Sequence, residues 1–377
     1  MKVGISGYVG NRLTGIGRVL MNVVGELAGQ HPGNDYYLFK NRDFDAFDPL
    51  EAFPNVHLID YPVSKESALG NILWHQSGFQ KLLHRHGCDV AFIPNFSLLL
   101  WKKVPTVVAI HDLIEYNVPG KFGPLRMFYR KRICDPLMAK RSDAVITVSE
   151  SSKEDIVRYL GVRAGKIRVA PNASDPGVFR KYTQQECAQA LGRYGLAYKS
   201  YLLFVGTIDY PGKNVKSVID AYVHLRKEGL FGDRKLVIAG KNGYRAETIF
   251  SLVRESGFQD DIVFTGYVPD ADLGPLVSGA LETVYLSYYE GFGLPVLESM
   301  ACGTPVICSD TSSFPELAGD LDICVPPDDI GAIARKMVSF ADPDGYDALS
   351  AAMYNRSSAF SWERTARIYD DVFSSLL

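Results

Sequence analysis

No apolar run in this 377-residue sequence approaches the roughly 20 residues that a membrane-crossing helix needs, so no spanning segment is expected. Cysteine is sparse and scattered: Cys88, Cys134, Cys187, Cys302, Cys308 and Cys324 form no C-x-x-C pair and no cluster with histidines. That pattern argues against a zinc site or a disulfide framework, and the thiols are expected to be reduced and mostly buried. Neither sign of charge is in excess, and a formal charge of −3 describes no nucleic-acid-coating protein. The opening Met1 to Gly7 is too short and polar for a signal peptide and reads as a first buried strand, so a cytoplasmic location is expected. Without a secretory route the sequon Asn172-Ala173-Ser174 carries no meaning. No convincing metal-ligand set occurs; Asp270-Ala271-Asp272 spells a D-x-D but directly precedes a helical pattern and reads as capping.

What the sequence does contain is regular alternation. Lys2 to Ser6, Val56 to Ile59, Asp89 to Ile93, Thr106 to Ile110 and Ala144 to Val148 read as strands separated by amphipathic helical stretches. A second series runs through Tyr201 to Val205, Lys235 to Ala239, Ile262 to Thr265, Thr283 to Leu286 and Pro305 to Cys308. Such alternation predicts an α/β protein with two doubly wound parallel sheets, a length too great for one core supporting two domains. The boundary is expected between Pro171 and about Ser200, in the turn-rich stretch from Pro171 to Gly177 and the polar helix after it, giving domains at 1–180 and 190–361. The final stretch, 362–377, places Ile368, Val372, Phe373 and Leu376 at helical spacing and is expected to pack back onto the first domain. Ligands of open α/β sheets bind beyond the carboxyl ends of the strands, so two sheets facing each other across a cleft would put the chemistry there.

The sharpest motif is Glu290-Gly291-Phe292-Gly293-Leu294-Pro295-Val296-Leu297-Glu298, after the strand at Thr283 and with Pro295 at the start of a helix. A glycine-rich strand-to-helix turn presents backbone N–H groups at the positive end of the helix, which suits a diphosphate. Glu290 would stand at its mouth, and Glu298, eight residues on and about 80° around a helix, would face the same place from two turns deeper. Two glutamates flanking a turn can equally be a helix-start charge and a solvated face. In the first half, Ala109-Ile110-His111-Asp112 ends a predicted strand and brings His111 to its carboxyl end; Asp112 reads as a turn residue. Thr14-Gly15-Ile16-Gly17-Arg18 is a glycine loop before an apolar helix, but it lacks the third glycine and the acidic partner of a nicotinamide site.

From Val263-Phe264-Thr265-Gly266-Tyr267-Val268 through Glu290 and Glu298 to Met300-Ala301-Cys302-Gly303-Thr304-Pro305-Val306, the chain closely resembles the family 4 retaining glycosyltransferases, and the likeness extends over nearly its full length. The resemblance implies a GT-B fold, an acceptor-binding first domain and a nucleotide-sugar-binding second one. It implies that Glu290 holds hydroxyls of the donor sugar, Glu298 holds the ribose, and the amides around Gly291, Phe292, Gly293 and Leu294 lie near the diphosphate. The backbone near Val268 would meet the base. Gly206 and Thr207 match a further donor loop, Lys213 would neutralise the departing diphosphate, His111 would bond the transferred sugar, and Gly15 and Gly17 would approach the donor phosphate. No obligatory metal or other cofactor is implied. Relatives commonly carry an arginine just before this lysine or just after the preceding glycine; here Gly212 and Thr207 stand instead, so Lys213 acts with helix dipoles alone or with another cation such as Lys241 or Arg245.

Gly206-Thr207-Ile208, Lys213-Asn214 and Ser312-Ser313-Phe314-Pro315-Glu316-Leu317 look most like bacterial mannosyltransferase-type members, implying GDP-mannose as donor with a UDP-hexose as the alternative. A glycan or polyprenyl-diphosphate-linked acceptor in polysaccharide or lipopolysaccharide assembly follows from the same likeness; a nucleotide-sugar epimerase and a non-catalytic nucleotide-sugar-binding protein are the rivals. Lys121 to Arg141 holds seven lysines and arginines against Asp135 alone, interleaved with Phe122, Leu125, Met127, Phe128 and Tyr129. That segment fits either peripheral contact with an anionic membrane or a solvated helix face over a buried aromatic stripe. A second basic stretch, Lys81 to His86 after Trp74 and Phe79, adds to the membrane alternative.

Overall fold

The computed structural model describes residues 1–9, 15–61 and 67–377. They divide into two compact units, one formed by Met1–Asn172 with Ser361–Leu377 and the other by Ala173–Phe360. Among the described residues, no helix is long and apolar enough to cross a membrane.

The first unit is built on seven parallel strands: β1 (Lys2–Gly7), β2 (Asp35–Asn41), β3 (Val56–Tyr61), β4 (Val90–Ile93), β5 (Thr106–Ala109), β6 (Ala144–Thr147) and β7 (Ile167–Val169), in the order β3-β2-β1-β4-β5-β6-β7. Every residue of β4, β5 and β6 is buried, as expected of strands covered by helices on both faces. Helix Gly15–Gln30 buries Val19, Leu20, Val23, Val24 and Leu27 at helical spacing. Beside it lies the last helix, Trp362–Ser374, whose Tyr369 and Phe373 rings stand 5.3 and 5.8 Å from Phe92 of β4. Ser361 caps that helix by accepting from the Arg364 N–H at 3.2 Å.

The second unit holds β8 (Tyr201–Val205), β9 (Lys235–Ala239), β10 (Ile262–Gly266), β11 (Glu282–Tyr285), β12 (Val306–Ser309) and β13 (Cys324–Val325), all parallel in the order β10-β9-β8-β11-β12-β13. In both sheets the chain order reverses once, between β1 and β4 and between β8 and β11, and loops leaving such neighbours diverge to open a crevice.

Three strands had no expectation in the sequence: β2, whose Asp35-Tyr36-Tyr37-Leu38-Phe39-Lys40-Asn41 mixes polar and aromatic residues, and the short β7 and β13. The Asp270–Gly279 helix has Pro269 at its N-cap, while Asp272 turns to Arg193, 2.5 Å away, and to the Tyr194 hydroxyl at 3.2 Å, so a tertiary ion pair replaces the expected cap. The six cysteines are free and five are buried, but Cys308 and Cys324 sit in register on β12 and β13 with their Sγ atoms 3.8 Å apart, a pairing invisible in their spacing. Trp74 and Phe79 belong to the core of the first unit, which removes the aromatic partners that Lys81 to His86 needed for a membrane-facing stretch.

Candidate functional site

Gly206, Lys213, Ser287, Glu290, Gly293 and Pro295 line one small cavity of about 30 Å³ in the second unit, on loops that leave the carboxyl ends of β8 and β11. This is the crevice where the strand order reverses. The loop after β8 is tied to the one after β9: Ile208 N–H donates to Lys241 O at 2.9 Å, and Gly243 N–H returns to Ile208 O at 2.9 Å. At Gly240 the two backbones come so close that a Cβ would lie 1.8 Å from Gly206 O, which only glycine allows. Asn214 then caps the next helix, Val215–Lys227, in a left-handed conformation at φ 47°, its amide donating to Pro327 O at 2.8 Å.

Lys213 reaches from this loop to Glu290, with Nζ 2.5 Å from Oε1. The same carboxylate oxygen accepts from Ser287 Oγ at 2.7 Å. Both charged side chains are mostly buried, so the pair is held in a partly desolvated setting where charge-assisted bonds are strong. Serines fix the backbone of Glu290: Ser312 Oγ accepts from its N–H at 3.2 Å and donates to its carbonyl at 2.5 Å, and Ser313 Oγ donates to the same carbonyl at 3.0 Å. Ser312 does so from φ 57°, a conformation that L-residues adopt at a cost of about 1 kcal/mol or more. The sequence reading used these serines only as part of a family likeness; their clamp role follows from a contact 22 residues away.

Helix Leu294–Ala301 starts after Gly293, which is at φ 96° and lies so close to Phe314 that a Cβ would meet its ring at 2.7 Å. Pro295 occupies the first turn, where its missing N–H costs nothing. The N–H groups of Gly293 and Leu294 have no helical carbonyl behind them, as at any helix start, the kind of position where an anion can bind. Because this helix begins at Leu294, Glu290 is not on it, and the angular relation of 80° expected for the two glutamates does not apply. Glu298 is partly buried in the helix's second turn, near Tyr285 and Cys302, whose ionisation its charge further disfavours after burial itself. Gly291 and Phe292 lie in the turn, Phe292 buried edge-on to Phe360 with centroids 5.8 Å apart.

Thr207 is exposed and Gly206 half-buried at the end of β8. Val268 packs into the core with Phe179, Leu276 and Val277, while its neighbour Tyr267 stands in solvent with Lys241 Nζ 4.6 Å above its ring. That exposed aromatic, after β10, carried no signal in the sequence beyond its place in the family-like run.

The remaining predicted residues belong to the first unit. Gly15 and Gly17 open helix Gly15–Gln30, with Gly17 buried and Arg18 half-buried; Thr14 falls outside the described residues. His111 lies two residues beyond β5, which ends at Ala109. Its Nε2 is 3.0 Å from Pro94 O, and a carbonyl only accepts, so Nε2 carries the proton and Nδ1 is the acceptor in the neutral ring. Burial lowers the imidazole below its ordinary range, which keeps it in that neutral form. Asp112 accepts from the Ile114 N–H at 3.1 Å, as a turn residue does.

The Lys121 to Arg141 segment folds as helix Pro124–Tyr129, a π turn Arg130–Cys134 and helix Asp135–Arg141. Of the two readings of this segment, a buried aromatic stripe forms only in part: Phe122, Met127 and Tyr129 are half-buried, Leu125 and Phe128 are exposed, and a charge, Arg130, turns inward.

A family model described as "Glycosyl transferases group 1" matches residues 197–355, and one described as "Glycosyltransferase Family 4" matches residues 13–178. The O-antigen chain mannosyltransferase B of Escherichia coli is 30% identical over 365 residues, covering 93% of this chain and 93% of that protein. Among solved structures, a glycosyltransferase from Rickettsia africae superimposes with a TM-score of 0.76 at 14% identity over 100% of this chain and 98% of its own. HepE from Anabaena, crystallised with UDP and glucose, gives 0.74 at 16% identity over 100% of both chains. With two parallel-sheet halves of the GT-B type, this chain belongs to the family 4 glycosyltransferases.

Proposed function

We propose that the protein transfers mannose from GDP-mannose, with retention of anomeric configuration, to a glycan or polyprenyl-diphosphate-linked acceptor in cell-surface polysaccharide assembly, working at the inner face of the membrane. The observation that carries this is the Lys213–Glu290 pair at the mouth of the glycine turn, in a chain whose relative over 93% of its length is an O-antigen mannosyltransferase. In this scheme the N–H groups of Gly293 and Leu294 and the Lys213 ammonium take the diphosphate, Glu290 accepts from sugar hydroxyls, and Glu298 accepts from the ribose. Nδ1 of His111 accepts from a further sugar hydroxyl, and Gly15 and Gly17 admit the donor phosphate. The bond between the anomeric carbon and the diphosphate breaks as the acceptor oxygen bonds to the same face, and the acceptor proton passes to the departing phosphate oxygen. No protein nucleophile and no metal is needed, because lysine and helix start supply the stabilising charge.

UDP-hexose is the second donor, supported by the fold neighbour solved with UDP and glucose. Thermal unfolding with GDP, UDP and their sugars decides between them, since a ligand bound only by the native state raises the midpoint by mass action. GDP and GDP-mannose are expected to raise it, and Glu298→Ala to remove the rise. No response to any nucleoside diphosphate would sink the proposal. Acceptor-dependent release of GDP separates a transferase from an epimerase and from a non-catalytic binder, and the anomeric configuration of the product, read by NMR, tests retention.

A further inference from the structure

Cys308 and Cys324 take no part in the contacts that build the candidate site, yet both strands that carry them lead into it. They are cross-strand partners on β12 and β13, in register, with Sγ atoms 3.8 Å apart. Neighbouring strands run about 4.8 Å apart, within the range of roughly 4.4–6.8 Å that a disulfide spans between Cα atoms. For a bond the sulfurs must close to about 2.05 Å. β13 can supply that movement, because it is the edge of its sheet and pairs with β12 through two residues.

The two thiols are not equivalent. Cys324 is partly exposed, whereas Cys308 and the other four cysteines are buried. Cys308 keeps its proton and gives it in a hydrogen bond to Cys324. That bond, with burial second, pushes the Cys308 thiol up, and the same bond holds Cys324 below its ordinary range. Lys336, whose Nζ lies 2.7 Å from Asp322, favours the Cys324 thiolate; Asp310 and Asp322 oppose it. An accessible sulfur with thiolate character beside a sheltered partner thiol is what an oxidant-responsive pair requires.

After Cys308, Ser309 Oγ donates to Ser287 O at 2.6 Å, and Ser312 and Ser313 hold the backbone of Glu290. After Cys324, Pro327 O accepts from the Asn214 amide at 2.8 Å, and Asp328 accepts from the Tyr288 hydroxyl at 2.7 Å. Asn214 follows Lys213 in the chain, and the Tyr288 N–H donates to Gly212 O at 3.1 Å. The loop after β13 thus steadies the lysine side of the Lys213–Glu290 pair, as the loop after β12 steadies the glutamate side. Drawing the strands together at the cysteines moves one side against the other.

We propose that Cys308 and Cys324 form a reversible disulfide under a hydroperoxide oxidant, and that this bond weakens nucleoside diphosphate binding by shifting the loop after β13 away from Asn214 and Tyr288. The Cys324 thiolate attacks one peroxide oxygen to give a sulfenic acid, and the hydroxide expelled leaves as water with the proton that the thiol had lost. The Cys308 sulfur then attacks the oxidised sulfur, and its proton leaves with the hydroxyl as a second water. Two thiols give up two electrons and two protons, and one hydrogen peroxide is reduced to two waters. The effect on nucleotide rests on the transferase reading above; the bond itself does not.

The test treats full-length protein with hydrogen peroxide, blocks remaining thiols with iodoacetamide, and repeats each measurement after dithiothreitol. Two of the six thiols should be lost, peptide mass spectrometry should find Cys308 joined to Cys324, and dithiothreitol should reverse both. Hydrogen exchange at 210–215 and 286–291 should quicken in the oxidised protein, and thermal stabilisation by GDP should fall to that of roughly tenfold weaker binding. Cys324→Ser should keep its stabilisation by GDP through the peroxide treatment. An unchanged thiol count, sulfinic acid on Cys324 without a link to Cys308, or a link to another cysteine would overturn the pair. A Cys308–Cys324 bond that leaves exchange at 210–215 and 286–291 unchanged, or a loss of GDP stabilisation that persists in Cys324→Ser, would overturn the coupling to the donor loops. A protein that binds no nucleotide in either redox state loses the transferase proposal, while the linked peptide and the exchange rates still decide this one.

Discussion

Glu290 and Lys213 depend on each other. Each is mostly buried, and removing one leaves the other as an uncompensated charge, a loss of roughly 1–3 kcal/mol. Lys213→Ala is therefore expected to lower the unfolding midpoint by several degrees and to weaken nucleoside diphosphate binding. Glu290→Gln should cut kcat at least 100-fold yet preserve or tighten diphosphate binding, because the ammonium is no longer shared with a carboxylate. Turnover and titration on the two variants separate these outcomes. His75 supplies a different residue-scale test. Its Nδ1 lies 2.9 Å from Asn71 O and so carries the proton, while Nε2 accepts from Ser6 Oγ at 2.9 Å. Burial pushes this imidazole down to about 4, whereas in the unfolded chain it titrates near 6.5. The unfolded chain thus takes up a proton that the native state refuses, and stability falls as the pH drops from about 6.5 towards about 4, by roughly 1 kcal/mol per unit. His111, lowered for the same reason, adds in the same direction. Urea midpoints at pH 7.5 and pH 5 should differ accordingly, and the difference should shrink in His75→Gln.

At the scale of the element, the turn between β11 and helix Leu294–Ala301 concentrates the most constraint. Gly293→Ala would place a methyl against Phe314 at an unfavourable φ, with a cost of about 1–3 kcal/mol and a displacement of the proposed diphosphate site. Loss of thermal stabilisation by nucleotide in a still folded Gly293→Ala protein is the expected result. Ser312→Ala removes two bonds to the Glu290 backbone but relieves nothing else, so kcat should fall about tenfold through mispositioning, with circular dichroism unchanged. The turn itself was legible: glycines, a proline at the helix start and a preceding apolar strand identify it from local chemistry. The serine clamp was not, because strand β12 brings Ser312 to Glu290 only when the sheet forms. Similar reasons hid β2, β7 and β13. Two of them are three residues or fewer, and β2 carries Lys40 inward, where Phe44 O accepts from its ammonium at 3.0 Å.

For the whole molecule, two separate cores predict two separable stabilities. A nucleoside diphosphate should raise the calorimetric transition of the second unit first. Removal of 361–377 strips Tyr369 and Phe373 from Phe92 and should lower the transition of the first unit, leaving that of the second in place; an equal loss in both would contradict this division. What the sequence determined by itself was whatever follows from periodicity and turn chemistry: alternating strands and helices, two parallel sheets, a glycine turn flanked by glutamates, and a histidine just past a strand. These are properties of neighbouring residues, whose side-chain directions repeat every two or 3.6 positions. Tertiary structure alone decided the long-range partnerships: Lys213 on Glu290, the serines behind it, Arg130 turned inward onto Glu115 and Asp135, and Leu125 and Phe128 left in solvent. Burial and electrostatic balance depend on which distant segments pack together, and spacing along the chain does not encode that.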